Sequence, residues 1–219
     1  MTEPSSPGVR IQHAIHGAVR RDADRLSSAL GSDRAPSPNA VRAFWADMRF
    51  QLHHHHEFED TVVWPLVRRR LGARVDALLD RNADEHEAMG EAMAHFDAVV
   101  SAEPLDRAVA LAALERMRAA IDLHLAHEEA DVLPLLEEGL TPEDFPMLLA
   151  ASAKDNPPSA FLPWVLDDAS DETVAFIGGR LPDAVAAQLA EVWAPHRRTV
   201  VDALAVPEPQ FVAGLTTSV

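Results

Sequence analysis

Apolar positions in this chain recur at intervals that suit helices and hardly anywhere alternate as a strand requires. Alanine is abundant at helix-compatible spacings, β-branched runs are short and tyrosine is absent. Punctuation cuts the pattern into long segments. A first helix is predicted from about Val9 to Leu30, stopped by Gly31. The stretch "APSPNAVRAFW" starts a second, with Ser37 as N-cap and Pro38 in the first helical position, running to about Leu71 before Gly72. A third covers about Arg74 to Val100. A fourth opens in "SAEPLDRAV", with Pro104 in its first turn, and runs to about Glu138 before Gly139. Four helices of roughly 22 to 35 residues with short connections predict an all-α fold, an antiparallel up-down four-helix bundle over residues 9–138.

Beyond Thr141 the pattern changes. "TPEDFPMLLAASA" predicts a short helix capped by Thr141 and Pro142, and "KDNPPSAFLPW" a proline-rich loop. "LPDAVAAQLAEVWAPHRRTVVDAL" predicts a longer helix bent at Pro195. Residues 141–206 are too few for a core of their own, so this C-terminal helical extension should pack on the bundle. Residues 207–219, rich in Pro, Gly and Thr, read as a flexible tail. Trp45, Trp64, Trp164 and Trp193 are expected in the core or between bundle and extension.

Composition narrows the function classes. The 219 residues are 47% hydrophobic, enough for one domain with an appendage. Nineteen Lys and Arg against thirty-five Asp and Glu give a net charge of −16, which argues against nucleic-acid and anionic-membrane partners. With no cysteine, disulfides, thiolate metal sites and iron–sulfur clusters are excluded. The start "MTEPSSPGVR" has no apolar signal core and no run approaches the ~18 apolar residues of a membrane span. A soluble cytoplasmic protein is the expectation.

Chemistry enters through an internal repeat. "HHEFEDTVVWPLV" from His55 and "HLAHEEADVLPLL" from His124 share one register: His, three residues, Glu, an acidic residue, then Pro-Leu. Glu59 and Glu128 each stand four after their histidine, and Pro65 and Pro134 six after their glutamate. Upstream, His16 precedes His55 by 39 residues and His86 precedes His124 by 38, so the chain reads as two helical hairpins. His13 gives a poorer spacing and is the alternative on the first helix.

Residues four apart share a helix face. Leu52, Val63 and Leu66 fall on the face of His55 and Glu59, and Ile121, Leu125 and Leu135 on that of His124 and Glu128. Two buried glutamates at one level are costly without a cation. Four imidazoles and two carboxylates without thiolate suit a pair of iron or manganese ions, with zinc as the alternative. Singly, each His/Glu pair could be a solvated surface pair; the registered repeat is what favours ligands.

These residues resemble the hemerythrin-like, or HHE, cation-binding family: His16 in "HGAVRRDADRL", His55 and Glu59 in "HHEFED", His86 in "DEHEAM", and His124 and Glu128 in "HLAHEE". More loosely, "FLPWVLDDAS" resembles the C-terminal extension of actinobacterial-type members. The resemblance implies a dinuclear metal site with His16, His55, His86 and His124 as terminal ligands and Glu59 and Glu128 bridging. It implies a non-haem diiron protein that binds and reacts with dioxygen, peroxide or nitric oxide, a candidate oxidoreductase that could also take a small organic substrate. The competing class is non-enzymatic: oxygen or iron binding, metal storage or redox sensing. Oxygen-carrying members have a further histidine one turn after the third-helix ligand, where this chain has Gly90, and an Asp where it offers Glu128. That departure predicts a more open metal pair unless His127 or Asp131 fills the gap.

At about 100° per residue, His53 and His54 point away from His55. His56 flanks the face and is a candidate for hydrogen-bonding a ligand, as are His13 and His127. His95 and His196 are expected to be bystanders.

Overall fold

The computed structural model describes residues 6–33, 36–141 and 143–204. The expected flexible tail, 207–219, lies outside the described residues. All regular structure among the described residues is helical. None of these helices is long and apolar enough to cross a membrane.

Helix α1 spans Pro7–Gly31 and α2 spans Pro38–Phe58. Both start on a serine N-cap: Ser6 Oγ accepts from Val9 N–H and Ser37 Oγ from Ala40 N–H, with proline following at a position that needs no donor. The second rod does not run unbroken to Leu71. It passes through a π-helical turn at Glu59–Val63 before continuing as α3, Trp64–Leu71. Gly72 stops it at φ 71°, a conformation glycine adopts without strain. A 3-10 turn at Gly72–Val75 leads into α4, Asp76–Ser101. Helix α5, Arg107–His127, repeats the pattern of α2: a π-helical turn at Glu128–Val132, then α6, Leu133–Gly139. Pro104 is not in the first turn of α5. Asp106 is its N-cap, accepting from the N–H groups of Ala108 and Val109.

Each π turn begins on a glutamate of the repeat and ends two residues before its proline. Trp64 N–H donates to Glu59 C=O and Leu133 N–H to Glu128 C=O, five residues back. The proline that follows has no N–H, so the α-helical ladder is already broken there and the wider turn is the local solution. Each wider turn inserts a residue beside the candidate ligands.

The four rods pack as a bundle with two apolar clusters. The larger includes Leu26, Trp45, Met48, Leu52, Met89, Phe96, Leu114, Met117, Ile121 and Leu125. The smaller, beyond the π turns, joins Val63, Trp64, Val67, Leu79, Val132, Leu133 and Leu136. Buried polar residues lie between them in sequence on every rod.

The C-terminal segment forms four helices: α7 (Asp144–Ser152), α8 (Pro158–Leu166), α9 (Asp171–Gly178) and α10 (Asp183–Leu204). The expected loop "KDNPPSAFLPW" is therefore largely helix. Pro158 sits in the first turn, where its missing N–H costs nothing, and only Pro163 lies inside the helix. Helix α9 was not expected at all; Ser170 caps it, accepting from Thr173 N–H. Leu162, Trp164, Val165, Val174, Phe176, Leu189 and Trp193 bury into the larger bundle cluster. Trp45 and Trp164 are anchored by Asp97 and Asp22 through their indole N–H groups, at 2.9 and 2.8 Å.

Candidate metal centre

Two trios of potential ligands lie in the bundle, with the ligand atoms in each within 4.8 Å of one another. One is His56, His86 and His124; the other is His16, His55 and Glu128. All six residues are buried. Glu128 Oε2 lies 3.1 Å from His16 Nε2 and 3.4 Å from His124 Nε2, one histidine from each trio. Glu59 also reaches both, with Oε1 3.6 Å from His55 Nδ1 and Oε2 3.7 Å from His86 Nε2. Each repeat glutamate thus stands between the two trios.

All six residues of the expected ligand set, His16, His55, Glu59, His86, His124 and Glu128, converge here. His56 is closer in than expected: its ring stacks on His86 at 4.2 Å between centroids and meets His124 edge-on at 5.3 Å. A further imidazole, from α2, thereby stands beside His86 and His124. Gly90 itself is exposed. His13 is exposed and outside the trios, 3.9 Å from Glu129. His127 is buried but turns its Nδ1 to Glu85 at 2.8 Å, and Asp131 lies exposed at 3.9 Å from the other ring nitrogen. His53 is exposed, and His54 lies between Phe50 and Phe58 on the outer side of α2.

Carboxylates fix the rings from behind. His86 Nδ1 lies 2.9 Å from Asp60, His16 Nδ1 2.9 Å from Glu129, and His124 Nδ1 3.3 Å from Glu85. An Nδ1–H donated outward leaves the Nε2 lone pair facing inward, the arrangement that orients histidine ligands. The two hairpins cross-brace each other: Asp60, next to Glu59, holds His86, while Glu129, next to Glu128, holds His16. Sequence reasoning gave these acidic neighbours no role, although the repeat carries one after each glutamate. Replacing Asp60 by Asn or Glu129 by Gln should weaken metal binding by roughly 10- to 100-fold without unfolding the chain, measured by chelator competition.

Electrostatics decide what fits. No hydrogen bond satisfies Nε2 of His16, His55, His56 or His124, Oε2 of Glu59, or either oxygen of Glu128. Burial holds His55 and His56 well below the ordinary imidazole range, and neighbouring imidazoles add to it, so both stand as neutral lone-pair donors. Burial, with the charge of Glu128, pushes Glu59 well above the ordinary carboxyl range. Burial opposes ionisation of Glu128 too, but His124 and His16 outweigh it and hold the group well below that range. Glu129 is likewise held at about 2, against burial, by His16 and Arg20. Unsatisfied lone pairs and two carboxylates that cannot both ionise comfortably are what a bound cation resolves, and the donor set of imidazole and carboxylate fits borderline divalent metals.

A family model described as Hemerythrin HHE cation binding domain matches residues 8–136. No curated protein and no solved structure gives a significant match.

Proposed function

This chain belongs to the family of hemerythrin HHE cation-binding domains, and from that premise we propose that it is a non-haem diiron protein that binds and reacts with dioxygen, peroxide or nitric oxide. The observation that carries the reading is the pair of adjoining trios, each with buried, hydrogen-bond-free donor atoms, and two glutamates lying between them. A pair of iron ions held there supplies two one-electron redox changes side by side.

The chain's own residues do the rest. His56, His86 and His124 offer one position, His16 and His55 the other, and Glu59 and Glu128 are shared. Asp60, Glu85 and Glu129 keep the rings turned inward. The ligand side chains are no more than 8% exposed, which keeps bulk water away and suits a diatomic molecule or peroxide better than a bulky organic substrate.

Metal analysis of iron-supplied protein with an optical spectrum of its oxidised form tests this. Two irons per chain with oxo-bridge-like near-ultraviolet bands are expected, together with consumption of dioxygen or peroxide by the reduced form. Protein that holds no iron overturns the reading. Within the histidine run, His55→Ala and His56→Ala should each lower iron content while His53→Ala leaves it unchanged. Equal loss in all three overturns the ligand assignment.

A further inference from the structure

The two hairpins share one more feature. Four residues before His16 on α1 stands Gln12, and four before His86 on α4 stands Asn82. Each amide is one turn from a candidate ligand on the same helix face. Both are buried: Gln12 is 8% exposed and Asn82 not at all. Polar amides at matching places in a bundle core must be satisfied by something.

They are satisfied differently. Gln12 Nε2 donates to Oε1 of Glu59, crossing from α1 to the π turn after α2. Asn82, one methylene shorter, stays with its own helix: its Nδ2 lies 3.4 Å from His86 Nε2, and its Oδ1 has no partner. The glutamates therefore differ. Glu59 has one oxygen held by an amide and the other, Oε2, without a hydrogen bond; Glu128 has no hydrogen bond on either.

Resting on the metal-binding reading above, we propose that Gln12 is a positioning residue of the metal centre: its amide retains Oε1 of Glu59, so that Glu59 offers a metal chiefly Oε2 while Glu128 offers both oxygens. Gln12 orients one of two otherwise equivalent carboxylates, and the inequality of the two follows from one methylene. With a cation bound and Glu59 ionised, the interaction is neutral-to-charged and shielded from solvent, which makes it a strong hydrogen bond with a defined direction. A merely structural Gln12 would stabilise the empty fold and leave metal affinity and spectrum alone.

The test compares wild-type protein with Gln12→Met, which keeps length and volume but removes the donor, and with Gln12→Asn, which shortens the amide to the reach of Asn82. Zinc affinity by chelator competition and the near-ultraviolet spectrum of the oxidised iron form are read on each, with helicity as the check on folding. Both variants should bind zinc roughly 10- to 100-fold more weakly and shift the near-ultraviolet bands. Folded variants with wild-type zinc affinity and unshifted bands overturn the proposal. If Gln12→Met does not fold, Gln12→Asn decides it by the same two readings. Failure of the diiron reading has a different signature: wild-type protein that takes up zinc but shows no reaction with dioxygen, peroxide or nitric oxide, with the zinc comparison still deciding Gln12.

Discussion

Glu128→Gln should empty both metal positions at once. Glu128 Oε2 lies within 3.4 Å of ring nitrogens from both trios, and neither of its oxygens is engaged in a hydrogen bond. Glutamine keeps the shape but replaces a doubly available anionic group with one neutral oxygen and an amide donor that faces the His16 and His124 lone pairs. The change therefore removes an anionic ligand from both positions together. His56→Ala, by contrast, touches one trio. Metal analysis after iron loading should give none for Glu128→Gln while circular dichroism still reports a helical chain. Stability supplies a second reading. A ligand at 1,000 times its dissociation constant stabilises by about 4 kcal/mol per site. Iron should therefore raise the melting temperature of the wild-type protein and leave that of Glu128→Gln where it was. Retention of one iron would restrict Glu128 to a single position, and retention of two would remove it from the ligand set.

The fold was legible where helix chemistry is local. Ser37 with Pro38 and the left-handed Gly72 mark their boundaries by hydrogen bonding and φ alone. Proline was the weak signal, because its meaning depends on position. Pro158 opens a helix in a stretch that reads as loop, whereas Pro65 and Pro134 follow π turns that no periodicity of 3.6 residues announces. In the candidate site the i, i+4 repeat picked out residues that do converge. A single inward line of ligands puts His56 at the flank. A helix facing two metal positions can bury an arc of about 100°, wide enough for neighbours in sequence. His55 and His56 then serve different trios. Gln12 and Asn82 carry no charge and no motif marks them; only their partners, a carboxylate for Gln12 and an imidazole for Asn82, distinguish them.

The largest loss of stability outside the metal centre should come from Arg25→Ala, which strips the partner from a carboxylate that joins the C-terminal helices to α1. Asp167, just after α8, is fully buried, and its Oδ2 lies 2.5 Å from Arg25 Nη1 and 3.8 Å from His196 Nε2 of α10. Arg21 donates to the carbonyl oxygens of Trp164, at 2.9 Å, and Asp167, while Trp164 donates to Asp22. Breaking a buried ion pair costs about 3–5 kcal/mol where the remaining charge is left uncompensated, and Arg21 and His196, which stay near Asp167, put the loss towards the lower end. Urea unfolding of Arg25→Ala at neutral pH should show a loss of that order, and Arg25→Met with Asp167→Leu should recover much of it, since a well-packed apolar pair carries no desolvation penalty. The pH dependence identifies the cause. Burial raises the Asp167 carboxyl, but His196 and the Arg25 and Arg21 guanidinium groups outweigh it and hold the group below its ordinary 3.8. An acid with a depressed folded value contributes stability that is present above the unfolded value and is lost as pH falls through the folded one. Below pH 3.8 the wild-type protein should therefore lose this contribution, and the gap to Arg25→Ala should narrow as pH falls. A gap that stays constant down that range would assign the loss to the packing of the Arg25 stem rather than to its charge.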